Sequence, residues 1–180
     1  SLWDTSYLES SWITNDVGSG PIALLPRLSQ KIAKSYPGTK LSLDEYWFGG
    51  GDDISGGLAE ADTLGILGRE GAFAARVGPL SGTPAAFIDG AIAMYRCWGD
   101  GKKETFGDTS VRAVSSDVAR VTVYASTFTK DPSKLGVVAI NKATTPIVVE
   151  LVRPRAAGAS AAVLAARMQT GAPSPTVQGE

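Results

Sequence analysis

Apolar positions along the first half of the chain recur at two periods. Ile22, Leu25, Leu28 and Ile32 repeat at intervals of three and four. That spacing stripes one face of a helix over residues 22–36, and Pro37-Gly38 stops it. Residues 40–46, Lys-Leu-Ser-Leu-Asp-Glu-Tyr, alternate with period two. They predict a strand with Leu41, Leu43 and Glu45 on one side. Gly49-Gly50-Gly51 predicts a loop, with Asp52, Asp53 and Ser55 as turn or cap residues. Leu58, Ala59, Ala61, Leu64 and Leu67 predict a second helix over 57–68, with Gly71 as its stop. The short, mostly apolar run 72–77 predicts a buried strand. Phe87, Ile88, Ile92 and Tyr95 predict a third helix over 84–97. Helix, strand, helix, strand, helix is the order of an α/β unit on a parallel sheet.

The texture changes after Trp98. Asp100-Gly101 is a turn signal, and short β-rich runs follow at 110–114, 120–128, 136–140, 147–152 and 161–168. Closely spaced short strands predict an antiparallel β-sandwich. The alanines of 156–168 also suit a helix, and that alternative stays open. Residues 171–180 hold two prolines and two glycines and predict a mobile tail. The organisation expected is therefore 1–98, 99–170 and a tail at 171–180, without internal repeats.

Composition narrows the chemistry. The 180 residues are 43% hydrophobic and 19% charged, which is globular composition. No apolar run reaches the roughly 18 residues of a membrane span. The net charge of −1, with basic residues unclustered, argues against nucleic acid or an anionic membrane as partner. Lys and Arg along 27–40 read as a solvated helix face. With His 0 and Cys 1, imidazole chemistry, His- or Cys-ligated metal and internal disulfides are excluded. Cys97 reads as a buried small residue. Catalysis would run on carboxylates, hydroxyls, lysines or a hard metal. For Asp52, Asp53, Asp62 and Asp100, turn and cap roles are favoured over calcium, which needs six or more oxygens. No cofactor and no metal site are expected. The chain opens Ser1-Leu2-Trp3-Asp4, which reads as the interior of a structured segment, so a fragment or processed chain is expected.

The stretch Leu43-Asp-Glu-Tyr-Trp-Phe-Gly-Gly-Gly51 is the richest in chemistry. Glu45 lies near the end of a strand, followed by aromatics and a glycine loop. Parallel α/β proteins carry reactive groups at the carboxyl ends of strands. A carboxylate beside aromatic faces suits sugars: rings stack on the pyranose while the carboxylate attacks or stabilises the anomeric carbon. The competing reading is a solvated or ion-paired strand end. Trp12 and Trp47 are candidate sugar platforms or core residues. Tyr46 is a candidate hydrogen-bond donor to the carboxylate or a core residue.

Residues 39–70, from Thr-Lys-Leu-Ser-Leu-Asp-Glu-Tyr-Trp-Phe-Gly-Gly-Gly-Asp-Asp to Gly-Ile-Leu-Gly-Arg-Glu, resemble glycoside hydrolase family 44, the endo-β-1,4-glucanases and xyloglucanases. The likeness extends to Leu2-Trp3-Asp4-Thr5-Ser6-Tyr7 with Ser11-Trp12-Ile13. It continues through Tyr95-Arg96, Thr105-Phe106-Gly107-Asp108-Thr109-Ser110-Val111, Val123-Tyr124-Ala125-Ser126 and Ile140-Asn141-Lys142. It covers roughly residues 1–145. It implies a (β/α)₈ barrel joined to a β-sandwich and a retaining mechanism with two glutamates. Glu45 matches the nucleophile, at the end of the seventh strand, and Ser11-Trp12-Ile13 falls in the family's segment at the sixth strand. The family's acid/base glutamate sits in an Asn-Glu-Pro type segment at the fourth strand, and no Asn-Glu-Pro occurs in this chain. A whole barrel needs about 250 residues, so only the last βα units are expected within 1–98. The family pattern Glu-Tyr-Asn-Tyr-Gly-Gly, with a following histidine, is replaced at Trp47, Phe48 and Asp53. The strand-eight tryptophan has no counterpart around 76–78. The resemblance implies a secreted, extracellular protein acting on β-1,4-glucan such as cellulose or xyloglucan, with the isolated fragment inactive. A carbohydrate-binding or accessory β module, or an inactive relative, is the alternative.

Overall fold

The computed structural model describes residues 1–78, 82–98, 104–152, 165–169 and 171–178. They divide into two compact units, Ser1–Trp47 with Ile66–Gly78, and Phe48–Gly65 with Pro79–Glu180.

The first unit opens with a short helix, α1 (Ile13–Asp16), and then α2 (Leu24–Ser35). Helix α2 starts later than its apolar stripe because Ala23 sits at φ 39°, in the left-handed region. No side chain caps it. Instead the carbonyls of Ser1 and Leu2 accept the N–H groups of Leu24 and Leu25 at 3.1 and 2.9 Å, which satisfies amides a helix start leaves orphaned. Ile22 and Leu25 are buried, while Leu28 and Ile32 are half-buried. Gly38, at φ 89°, reverses the chain into β1 (Ser42–Tyr46). In chain order helix α3 (Ile54–Arg69) follows, its residues up to Gly65 belonging to the second unit, and then β2 (Ala74–Val77), which pairs with β1 in parallel. This is the βαβ connection that the alternation of patterns predicts.

Two details of this sheet correct the sequence reading. Leu43 pairs with Ala75 and Tyr46 with Val77, so Asp44 and Glu45 together stand opposite Arg76. Such a bulge breaks the period-two alternation. Leu43 and Tyr46 are half-buried and Glu45 is exposed, so Leu41, Leu43 and Glu45 do not share one regular face. Strand β2 is not buried either: Ala74, Ala75 and Arg76 are exposed. Parallel strands are buried when neighbours cover both faces and edges. Among the described residues this sheet has two strands.

In the second unit, Asp53 caps α3. Its carboxylate accepts the Ser55 N–H at 2.8 Å, and Ser55 holds that carboxyl below the ordinary aspartate value. The glycine loop lies tightly on this helix start, since a Cβ on Gly56 would stand 2.0 Å from the Gly50 carbonyl oxygen. Helix α4 (Ala86–Arg96) buries Phe87, Ile88, Ala91 and Tyr95. The Tyr95 hydroxyl donates to the Ala61 carbonyl at 2.9 Å, and burial drives its pKa far up. Cys97, expected inside, is exposed: it is the C-cap of α4 with extended backbone, and so leaves the packed helix face.

Strands β3 (Thr109–Val111), β4 (Val121–Phe128) and β5 (Asp131–Asn141) form an antiparallel sheet in the order β3-β4-β5. Its core is Val121, Tyr124, Ala125, Val138 and Ile140, with Ser126 also buried. Asp108 ties the start of β3 to the end of β4. Its carboxylate accepts the Thr129 hydroxyl at 2.8 Å and N–H at 3.0 Å, and the Thr109 hydroxyl at 3.0 Å. Thr129 first, then Thr109, hold the carboxyl below its ordinary value of 3.8. A group depressed in the folded state stabilises above its unfolded pKa, and that stability is lost as pH falls through the folded value. Asp108→Asn is therefore expected to melt below the wild type at pH 6, with the gap closing below pH 3.8. Circular-dichroism melts across that range decide it, and a gap independent of pH would refute the assignment.

The remaining strand expectations divide. Residues 147–152 form no strand. The side chains of Val148, Val149 and Val152 are left in solvent, with Val148 98% and Val152 82% exposed. A strand needs a partner ladder for its amides, and this segment has none among the described residues. The run 161–168 is extended over β6 (Ala165–Gln169), and its first four residues lie outside the described ones, as does Asp100-Gly101. The expected tail instead contains β7 (Ala172–Gln178), antiparallel to β6. Gly171, at φ 80°, makes the hairpin turn. Pro173 and Pro175 are tolerated because, among the described residues, β7 is paired along one side only.

Candidate active site

Glu45 stands at the carboxyl end of β1, inside the bulge opposite Arg76. Bulges beside active sites re-aim a side chain out of the regular pleat. At the corresponding end of β2, the Gly78 N–H donates to the Tyr46 carbonyl at 3.1 Å. This brings the end of one strand beside the end of the other. The Glu45 side chain occupies the space a side chain at 78 would need: a Cβ built on Gly78 would lie 2.6 Å from Glu45 Cγ and 2.7 Å from Oε1. The carboxylate is exposed to solvent. Tyr46 and Trp47, next along the chain, are half-buried, so less of their ring surface is open to stacking.

Trp12 is elsewhere in this unit. It precedes α1 and is 73% exposed. It lines an open cavity of about 560 Å³ with Leu8, Glu9, Ser11, Asn15 and Ser19. Glu45, Tyr46 and Trp47 do not line it. Glu9 accepts hydrogen bonds from the hydroxyls of Ser1 and Ser11, and these keep its carboxyl below the ordinary glutamate value. The cavity thus pairs an exposed indole face with an ionised carboxylate, a combination suited to a polyhydroxylated ring.

Sequence reasoning misses Gly78 and Glu9. For Gly78 the only signal is a glycine directly after a short strand. For Glu9 there is none, since a glutamate between serines has no periodic context. Of the aspartates weighed against calcium, Asp53 caps α3 and Asp62 accepts the Tyr124 hydroxyl at 2.6 Å. Among the described residues no three potential metal ligands cluster.

No family model matches the chain. It is 40% identical over 142 residues to endoglucanase A of Paenibacillus lautus, which covers 79% of this chain and 20% of that protein. It is 41% identical over 152 residues to β-mannanase/endoglucanase A of Caldicellulosiruptor saccharolyticus, covering 78% of this chain and 11% of that one. Among solved structures it resembles a glycoside hydrolase family 44 endoglucanase produced by Clostridium acetobutylium ATCC 824, with TM-score 0.75 and 39% identity over 81% of this chain and 28% of that chain. It also resembles a Paenibacillus polymyxa xyloglucanase of family 44, with TM-score 0.73 and 41% identity over the same 81% and 28%. The chain therefore spans between 11% and 28% of the length of these relatives.

Proposed function

This chain belongs to glycoside hydrolase family 44, and from that premise we propose that it carries the nucleophile of a retaining endo-β-1,4-glucanase. The observation that carries the reading is the place of Glu45, exposed at the carboxyl end of a parallel strand, in a chain 40% identical over 142 residues to an endoglucanase. In the proposed enzyme β1, α3 and β2 belong to a (β/α)₈ barrel, and the β3-β4-β5 sheet belongs to a sandwich. The substrate is a β-1,4-glucan, cellulose or xyloglucan. Such polymers lie outside cells, so a secreted enzyme fits them.

Glu45 attacks the anomeric carbon and forms a covalent glycosyl-enzyme. A second carboxyl, roughly 5–5.5 Å away in retaining enzymes, protonates the leaving oxygen and then activates water. That group is assigned to a part of the enzyme outside this chain, because the Asn-Glu-Pro segment is absent from the sequence. Trp12, with its exposed face, is assigned to stacking on a sugar ring. Trp47 and Tyr46 are assigned to shaping the surroundings of Glu45.

The isolated chain is expected not to hydrolyse carboxymethyl cellulose or xyloglucan. Loss of general acid–base help alone costs about 10²–10⁴ in rate, and the reacting groups also lose mutual orientation. Reducing-sugar release clearly above a Glu45→Ala control would show that this chain holds its own acid/base and would overturn the assignment.

A further inference from the structure

Glycine at position 78 is not demanded by backbone conformation, because Gly78 is not among the glycines with positive φ. Its amide is used, donating to the Tyr46 carbonyl, and any residue except proline supplies that donor. What distinguishes the position is the space above its Cα. The three atoms nearest to a Cβ there are Glu45 Cγ at 2.6 Å, Oε1 at 2.7 Å and Cδ at 2.9 Å. All belong to one side chain, and none is backbone. Glu45 itself sits in the bulge where two residues oppose one, so the regular pleat does not set its direction.

We propose that Gly78 is a positioning residue for Glu45: by lacking a side chain, it lets the Glu45 carboxyl lie over the end of β2. The inference rests on the reading of Glu45 as nucleophile for its functional meaning, but its geometry stands apart from that reading. A methyl group at 78 meets the flexible end of an exposed side chain. The side chain yields and the fold does not. The result is a displaced carboxylate in an otherwise unchanged unit. A nucleophile must reach the anomeric carbon within a few tenths of an ångström of its productive place, and a misplacement of about 1 Å costs on the order of 10² in rate.

The test uses the whole chain labelled with ¹³C at glutamate Cδ, the Glu45 signal being assigned through Glu45→Gln. In the wild type, an Overhauser contact between Gly78 Hα and Glu45 Hγ is expected. In Gly78→Ala, the Glu45 Cδ signal is expected to shift while those of Glu9 and Glu104 stay in place and the amide spectrum keeps its dispersion. An unmoved Glu45 signal in a folded Gly78→Ala variant overturns the proposal. If Gly78→Ala unfolds, Gly78→Ala combined with Glu45→Ala is the deciding variant. Recovery of the fold supports a conflict with Glu45 alone, and continued unfolding shows a backbone requirement and overturns the proposal. A second arm separates the functional reading. In the longer enzyme, trapping by a 2-fluoroglycoside is expected to label Glu45, about 10²-fold more slowly in Gly78→Ala. A shifted Cδ signal together with a label on another carboxylate removes the nucleophile reading and leaves the positional one. A Glu45 label forming at the wild-type rate in Gly78→Ala overturns the positioning role.

Discussion

Glu45→Gln in an enzyme completed around this chain is expected to abolish the covalent glycosyl-enzyme and to lower kcat by at least about 10³-fold. The amide keeps the shape of the carboxyl but has no anionic oxygen with which to attack. Mass spectrometry of enzyme trapped with a 2-fluoroglycoside should show the label on the peptide containing Glu45 in the wild type and no label in the variant. Glu45→Ala should go further: it vacates the space in which the carboxylate stood. Azide should then restore turnover of an activated β-glycoside and give a product of inverted anomeric configuration, since the small anion attacks from the nucleophile's side. A label on a different carboxylate, or wild-type turnover in Glu45→Gln, would assign the chemistry to another residue. The pair of measurements distinguishes loss of the nucleophile from general damage, because a damaged site is not rescued by an anion.

Gly65→Ala should destabilise the chain by about 1–2 kcal/mol, although glycine to alanine inside a helix ordinarily stabilises by about 0.5–1 kcal/mol. Gly65 lies in α3, and a Cβ there would stand 2.3 Å from Tyr124 Cδ2 and 2.4 Å from Cε2. The ring cannot swing aside freely. Tyr124 is 6% exposed, and its hydroxyl donates to Asp62 at 2.6 Å. Gly68, in the same helix, has nothing within 4 Å of its Cβ position. Gly68→Ala is therefore the control, expected to raise stability by the ordinary helix amount. Urea unfolding of the two variants should give changes of opposite sign. In a Tyr124→Ala background the Gly65→Ala penalty should vanish, the coupling expected of residues in direct contact. Equal effects at 65 and 68 would refute the contact.

Local pattern and turn chemistry were enough to place α2, β1, α3, β2 and α4, because each carries a periodic apolar set or, in β2, a short apolar run, with a punctuating glycine, proline or cap in or beside its own few residues. Asp53 as a cap and Glu45 at a strand end were legible for the same reason. The Cys97 expectation failed because a helix end one residue earlier turns the side chain out of the core, and boundaries are the least legible part of a pattern. The bulge at Asp44-Glu45 was invisible, since alternation describes one strand and a bulge is a relation between two. The exposure of β2 and the lack of a partner strand for 147–152 among the described residues were invisible for a like reason: apolar, β-branched runs state a preference for burial and pairing, and only the neighbours present decide whether it is met. The hairpin of β6 and β7 ran against its prolines because a strand paired along one side does not need every donor. What the sequence determined by itself is the succession of elements from α2 to α4 and the carboxylate among aromatics. That Gly78, thirty-odd residues along the chain, makes room for that carboxylate was decided only by the tertiary structure. The contact depends on the register between two parallel strands, which no local signal encodes.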